Sequence, residues 1–219
     1  MTDHHPKHDD KGKIVALLHP SRPTNLAAWG QANLLATVTP LGPMPSHVNG
    51  LAVAAWADAP SDVVEWERLA TACAFDEPLM QKVAGKLPAS GAVVVEPDGR
   101  VWVVSPSNQY GGYTNTFPKG KLEAKEGLSL RANALKEVFE ESGLQVELTT
   151  FLCDSVRSTS VTRYYMARRV GGNPADMAWE SQAVHLVPQA QLAVFASHPN
   201  DQGVLAALHG RASFSSSGS

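Results

Sequence analysis

At 219 residues and 43% hydrophobic composition, the chain is long enough for one large domain, or for a compact domain with a substantial added segment, around a buried core. A net charge of −3 excludes the strongly basic character of bulk nucleic-acid binders, and no apolar run approaches membrane-spanning length. Cys73 and Cys153 have no metal-like spacing and read as buried thiols; with no basic-then-apolar leader at the N-terminus, the expectation is a cytoplasmic protein.

Residues 1–13 are polar, with His4, His5 and His8 set among aspartates and lysines. A stretch so poor in apolar side chains is expected to be a disordered tail rather than a metal site. Residues 14–90 read as an N-terminal α+β extension packed on the domain that begins at Gly91, because no long polar linker precedes that residue. Within it, Ile14 to Leu18 and Leu34 to Val38 read as short strands among proline turns. Ser61 reads as the cap of a helix through Val64, Leu69 and Cys73 that stops before Pro78. Trp29, Trp56 and Trp66 read as packing residues, since the indole carries a large apolar surface. The same extension could offer an effector or dimer surface, so a homodimer is one assembly open to the chain.

Ala92 to Val95 and Val101 to Val104 are β-branched runs, and Pro97-Asp98-Gly99-Arg100 between them has hairpin-turn chemistry. The loop from Ser105 to Asn115 suits a mobile cleft edge and a plain surface loop equally well. Next comes Phe117-Pro118-Lys119-Gly120-Lys121-Leu122-Glu123-Ala124-Lys125-Glu126. Beyond it, Leu128, Ala132, Leu135, Val138 and Phe139 recur at three- and four-residue intervals, which predicts a helix capped by Ser129 and ended by a left-handed Gly143. That helix carries Glu137, Glu140 and Glu141, acids three and four positions apart whose like charges repel on one face. A fold gains no stability from such a cluster, but a hard divalent cation is held by carboxylates of this kind.

Gly120, Glu126, Glu137, Val138, Glu140, Glu141, Gly143 and Leu144 resemble the signature of the Nudix hydrolases, G-x5-E-x7-R-E-U-x-E-E-x-G-U. Two features depart from it: nine residues rather than seven separate Glu126 from the Arg position, and Lys136 stands there, so the usual contact of Glu126 is looser or taken by Glu123. The resemblance implies that Glu137, Glu140 and Glu141, with the carbonyl of Gly120, hold Mg²⁺ or Mn²⁺. It also implies that Glu137 or Glu141 serves catalysis, with Glu180 as a candidate additional acid whose alternative is an exposed loop residue.

Val146 to Leu152, Val161 to Arg168 and Ala183 to Val187 read as further strands, Pro188 to Ala196 and Asp201 to Leu208 as helices, and 211–219 as a flexible tail. Strands alternating with helices predict an α/β fold, a mixed sheet covered on both faces, and the resemblance implies a Nudix-type α/β/α sandwich over 91–210. Lys119, Lys121, Arg157 and Arg163 are the expected phosphate-binding cations, with Tyr165 on the same strand face as Arg163. The Arg163-Tyr164-Tyr165 run and His198-Pro199 resemble the diphosphoinositol and diadenosine polyphosphate hydrolase branch. The implied activity is metal-dependent cleavage of a diphosphate bond in a small nucleoside diphosphate-linked, diphosphoinositol or diadenosine polyphosphate-type substrate. An ADP-ribose-type hydrolase and a nucleotide-sensing domain without catalysis are the alternatives.

Overall fold

The structure, a computed structural model, describes residues 3–123 and 125–215, with side chains as far as Arg211. Ala124 of the glycine-rich lead-in and the last four residues of the expected tail lie outside the described residues. The extension contains β1 (Asp3–His4), β2 (Ala16–Leu17), β3 (Ala36–Val38), β4 (His47–Val48), β5 (Leu51–Ala52) and helix α1 (Val63–Ala72). The remainder contains β6 (Leu87–Val94), β7 (Val101–Pro106), β8 (Lys119–Lys121), α2 (Leu130–Ser142), β9 (Leu144–Val156), β10 (Ser160–Gly172), β11 (Ser181–Val187), α3 (Gln189–Phe195) and α4 (Gln202–Ser215). No helix among the described residues is long and apolar enough to cross a membrane.

Two sheets carry the fold: a mixed four-stranded sheet in the order β8-β6-β10-β9, and a three-stranded antiparallel sheet in the order β3-β11-β7. Alternation along β7 sends Trp102 and Val104 into a cluster with Ala132, Leu135 and Val138 of α2. Val101 and Val103 enter a second cluster with Leu192 of α3 and Val204, Leu205 and Leu208 of α4. Helices therefore cover both faces, and the sandwich read from the element order is the one formed. Strand β6 pairs in parallel with β10 and is buried on both sides, which explains its unbroken Ala92-Val93-Val94 run.

The turn between β6 and β7 forms as expected, with Gly99 N–H donating to Glu96 O at 2.9 Å. The two strands nevertheless share a single bridge, Val95 with Val101, and then diverge into different sheets. Turn chemistry makes the chain reverse; it does not choose which neighbour each strand takes. Arg100, at the end of that turn, is buried, bonding Asp98 and the carbonyls of Ala28 and Trp29 at 3.1 and 2.6 Å.

The extension departs from its sequence reading in two places. Residues 3–13, expected to be unstructured, run as a hairpin closed by β1 against β2, with His5 buried and Lys7 Nζ donating to the carbonyl of Asp176. Composition counts only the apolar surface a segment can bury by itself, and this hairpin docks through hydrogen bonds to another part of the chain. Helix α1 is capped by Asp62 rather than Ser61, with Glu65 N–H donating to Asp62 Oδ1 at 2.9 Å and Glu65 Oε2 accepting from Ser61 N–H at 2.8 Å. Trp56 then packs edge to face on Trp66 of α1 and on Phe139 of α2, which are tilted against each other, so these indoles are packing residues. At the other end, α4 continues through Ser215 where a flexible tail was expected from 211.

Candidate active site

The ends of α2 are set by local chemistry. Ser129 Oγ accepts from Ala132 N–H at 3.2 Å, and Gly143, at φ 68°, donates its N–H to Phe139 O. Between them Glu137 and Glu141, one turn apart, point the same way. Their carboxylates and that of Glu180, which immediately precedes β11, place oxygens within 4.8 Å of one another. Backbone N–H of Lys119 donates to Glu141 Oε2 at 2.8 Å, which fixes the helix against β8.

Burial and mutual repulsion dominate the electrostatics. Loss of solvent, then the charges of Glu141 and Glu140, push Glu137 up to about 9. Glu141 is pushed up to about 7 by burial, against the opposing pull of Lys119. Glu180, at the rim, is raised by partial desolvation and by Glu140 and Asp10. Two buried carboxylates with this little compensation, facing a third, form a hard-oxygen donor set that fits a divalent cation. Gly120 supports the same reading: a Cβ there would lie 2.1 Å from the carboxylate carbon of Glu137, and its carbonyl is steadied by Asn133 Nδ2 at 3.3 Å. Gly120→Ala should therefore displace a flexible carboxylate, not backbone. We expect a melting temperature close to that of the parent together with metal affinity reduced by about tenfold or more, measured by calorimetric titration.

The grouping differs from the expected one. Glu140 stands outside the trio, on the opposite flank of α2 from Glu141, and pairs with Lys136 at 3.0 Å while lining the same cleft as Glu137 and Glu180. Lys136 also lies 3.7 Å from Glu126, so Glu126 keeps a loose contact to the position where the signature has Arg. Glu123 pairs instead with Lys125 at the surface.

A cleft of about 400 Å³ opens beside the carboxylates and is walled by Lys121, Lys136, Glu140, Trp179 and Glu180. Asp10, from the N-terminal hairpin, reaches the same cleft and accepts from Trp179 Nε1 at 3.0 Å. The ammonium of Lys119 lies 4.7 Å from the centre of the Tyr113 ring, its proton affinity lowered by burial and restored in part by Glu141. Arg157 is buried behind it, donating to the hydroxyls of Tyr113 and Tyr164 and to Asp201 Oδ1 at 2.8 Å. Sequence reasoning missed Asp10, Tyr113 and Asp201; nothing local marks residues whose partners lie so far along the chain.

Arg163 and Tyr165 share a strand face as expected, but that face is covered. Arg163 is 2% exposed and spends its donors on Asp154 at 2.8 Å, on Glu77 at 3.0 Å and on Pro78 O, while Tyr165 donates its hydroxyl to Glu77. Glu77, in the segment after α1, also takes Arg131 of α2 at 2.8 Å. The two residues assigned to substrate thus tie the extension to the sheet. Arg163→Ala should destabilise the fold by about 2 kcal/mol in denaturant titration, since it removes a buried guanidinium that holds two half-buried carboxylates and the carbonyl of Pro78. The folded fraction should keep kcat/KM within about twofold of the parent; a raised KM would return Arg163 to the site.

Residues 85–208 match the family model described as NUDIX domain. The chain belongs to the Nudix family, and it is a Nudix hydrolase. Nudix enzymes generally use a divalent metal and act on small phosphorylated substrates. Solved structures similar to this Nudix chain include a Nudix hydrolase from Nitrosomonas europaea, 16% identical, TM-score 0.48, over 57% of this chain and 89% of that one. A C. elegans Ap4A hydrolase in a binary complex is 18% identical, TM-score 0.48, over 59% of this chain and 98% of that one. An ADP-ribose pyrophosphatase from Streptococcus suis is 19% identical, TM-score 0.44, over 57% and 92%. No curated protein matches the chain by sequence.

Proposed function

We propose that this Nudix hydrolase uses Mg²⁺ or Mn²⁺ to cleave a diphosphate bond in a nucleoside diphosphate-linked, diadenosine polyphosphate or diphosphoinositol-type substrate. The observation that carries the reading is the carboxylate trio of Glu137, Glu141 and Glu180 closed against Gly120 beside two lysines. Those three carboxylates, with the carbonyl of Gly120, would hold the ion, and Glu140 would stand as an outer acid. A bound divalent ion neutralises phosphoryl oxygens and lowers the pKa of its water. Glu137 or Glu141 would take the proton of the attacking water. Lys121 at the cleft and Lys119 beside it supply positive charge for the phosphate chain. Arg157, locked on Asp201, positions Tyr113 and Tyr164. Cys73 and Cys153 are free thiols, which supports the cytoplasm as the place of action.

Incubation with Mg²⁺, Mn²⁺ or EDTA and a panel of diadenosine polyphosphates, diphosphoinositol phosphates, ADP-ribose and nucleoside triphosphates tests the proposal. Product masses should show metal-dependent cleavage of a diphosphate bond in the first two classes. Turnover of ADP-ribose alone would move the chain to that substrate, and turnover in EDTA, or of none of the panel, would overturn the reading.

A further inference from the structure

Glu180 differs from the other two carboxylates of the trio. Glu137 and Glu141 are buried on a helix, whereas Glu180 is exposed and sits with Trp179 at the centre of a turn, closed by Ser181 N–H donating to Ala178 O at 3.2 Å. A ligand on an exposed turn loses more freedom on meeting a cation than one on a packed helix. Whatever fixes the turn therefore sets how well the third carboxylate is presented.

Three segments hold this turn. At the end of α2, Glu140 O accepts from Ala178 N–H at 2.7 Å. After β7, Ser107 donates its hydroxyl to Trp179 O and its N–H to Glu180 O, both at 2.7 Å. From the N-terminal hairpin, Asp10 accepts the indole N–H of Trp179 at 3.0 Å. The hairpin's other contacts converge on the same place. Lys7 Nζ donates to the carbonyl of Asp176, and the buried imidazole of His5 lies beside the backbone of Ser181. Asn108, next to Ser107, uses both ends of its amide on the hairpin's second strand: Nδ2 donates to Ala16 O at 2.6 Å, and Oδ1 accepts from Leu18 N–H at 2.7 Å. The tip that carries Asp10 is itself a hydrogen-bonded turn rather than a frayed end. Asp9 Oδ1 accepts from the N–H groups of Lys11 and Lys13 at 2.9 and 2.8 Å, and Gly12, at φ 73°, donates to Asp9 O at 2.8 Å.

We propose that the N-terminal hairpin is a brace for the third metal ligand, with Asp10 as a positioning residue that holds Glu180 in place through the indole of Trp179. The hairpin lies outside residues 85–208, so the extension, and not the family domain, supplies this support. This role rests on the hydrolase reading, in which Glu180 is a ligand. It asks only for an acceptor at Oδ1, which asparagine also offers; a role as a charge or as a ligand asks for the carboxylate.

Calorimetric titration with Mn²⁺ and amide hydrogen exchange in EDTA, both on the full chain, test the brace without turnover. Asp10→Ala and Trp179→Phe should each weaken Mn²⁺ binding by about tenfold. Each should also speed exchange of the Ser181 amide by about threefold or more, with a melting temperature lowered by no more than about 4 °C, as the loss of one hydrogen bond implies. The double variant should lose no more affinity than either single one, because both break the same bond. Asp10→Asn should restore affinity and exchange to within about twofold of the parent. An Asp10→Asn variant that behaves like Asp10→Ala would show that the carboxylate acts by its charge, which overturns the brace. Unchanged Mn²⁺ affinity or unchanged Ser181 exchange in both Asp10→Ala and Trp179→Phe overturns it too. Glu180→Gln checks the underlying reading separately, since it should weaken Mn²⁺ binding at least as much while leaving Ser181 exchange close to that of the parent. If Glu180→Gln keeps full affinity, Glu180 is no ligand, and the reading of the site fails together with the brace, however the hairpin variants behave.

Discussion

Glu141→Gln and Glu137→Gln should each lower the single-turnover rate by about 10²-fold or more while leaving the metal-free protein at least as stable as the parent. Both effects come from one arrangement. Both side chains are buried, and no cation among the described residues is bonded through its side chain to Glu137, Glu141 or Glu180; Lys119 approaches Glu141 through its backbone N–H. Without metal a neutral amide costs less there than a carboxylate, and the glutamine Oε1 can still accept from Lys119. With metal, the lost ligand removes charge stabilisation at the reacting phosphate. Mg²⁺ should raise the melting temperature of the parent by mass action and that of the variants less. Glu140→Gln is the internal comparison: it loses a half-exposed pair with Lys136, worth under about 1 kcal/mol, and should slow the reaction by less than about tenfold. Full activity in Glu141→Gln, or an unfolded metal-free variant, would make these carboxylates structural.

The stability of the metal-free protein should fall as pH rises from about 5 to about 9, and the gain from Mg²⁺ should grow over the same range. Glu137 is pushed up to about 9 and Glu141 to about 7, chiefly by burial. Near pH 4.5 and below, the folded and unfolded chains both keep these protons, and neither group affects the balance. Above it the unfolded chain ionises freely while the folded site holds its protons, so the unfolded state binds fewer and the slope of unfolding free energy with pH is negative. Each group contributes up to about 1.4 kcal/mol per pH unit until its folded value is passed. Metal binding requires deprotonated ligands, so affinity climbs where metal-free stability declines. Other titrating groups are cancelled by comparing melting curves of the parent and Glu137→Gln at each pH. A parent whose stability relative to that variant is flat or rises with pH would show that Glu137 is already ionised in the folded state.

Local signals were enough for α2 and for half of the site. The Ser129 cap, the apolar stripe and the left-handed Gly143 act within one or two helical turns, and the helical repeat alone puts Glu137 and Glu141 on one side. Alternation along β10 likewise separates Tyr164 from Tyr165, which enter different core clusters. The same alternation could not say what covers each face. A guanidinium suited to phosphate and a tyrosine on the same strand side read as cleft residues, but Glu77, from the segment after α1, covers that side.

What the sequence by itself determined is therefore the longer strands and helices, the two-faced sandwich and the paired glutamates of α2, all products of short-range periodicity and capping. Tertiary structure alone decided that Glu180 rather than Glu140 joins those glutamates, that β6 and β7 enter different sheets, and that the N-terminal hairpin brings Asp10 to the cleft. Each of these outcomes depends on which distant segment wins a given face or edge, through Coulomb repulsion, strand pairing or a few docking hydrogen bonds. Such competitions are settled by the free energy of the whole packed chain, and no window of neighbouring residues contains them.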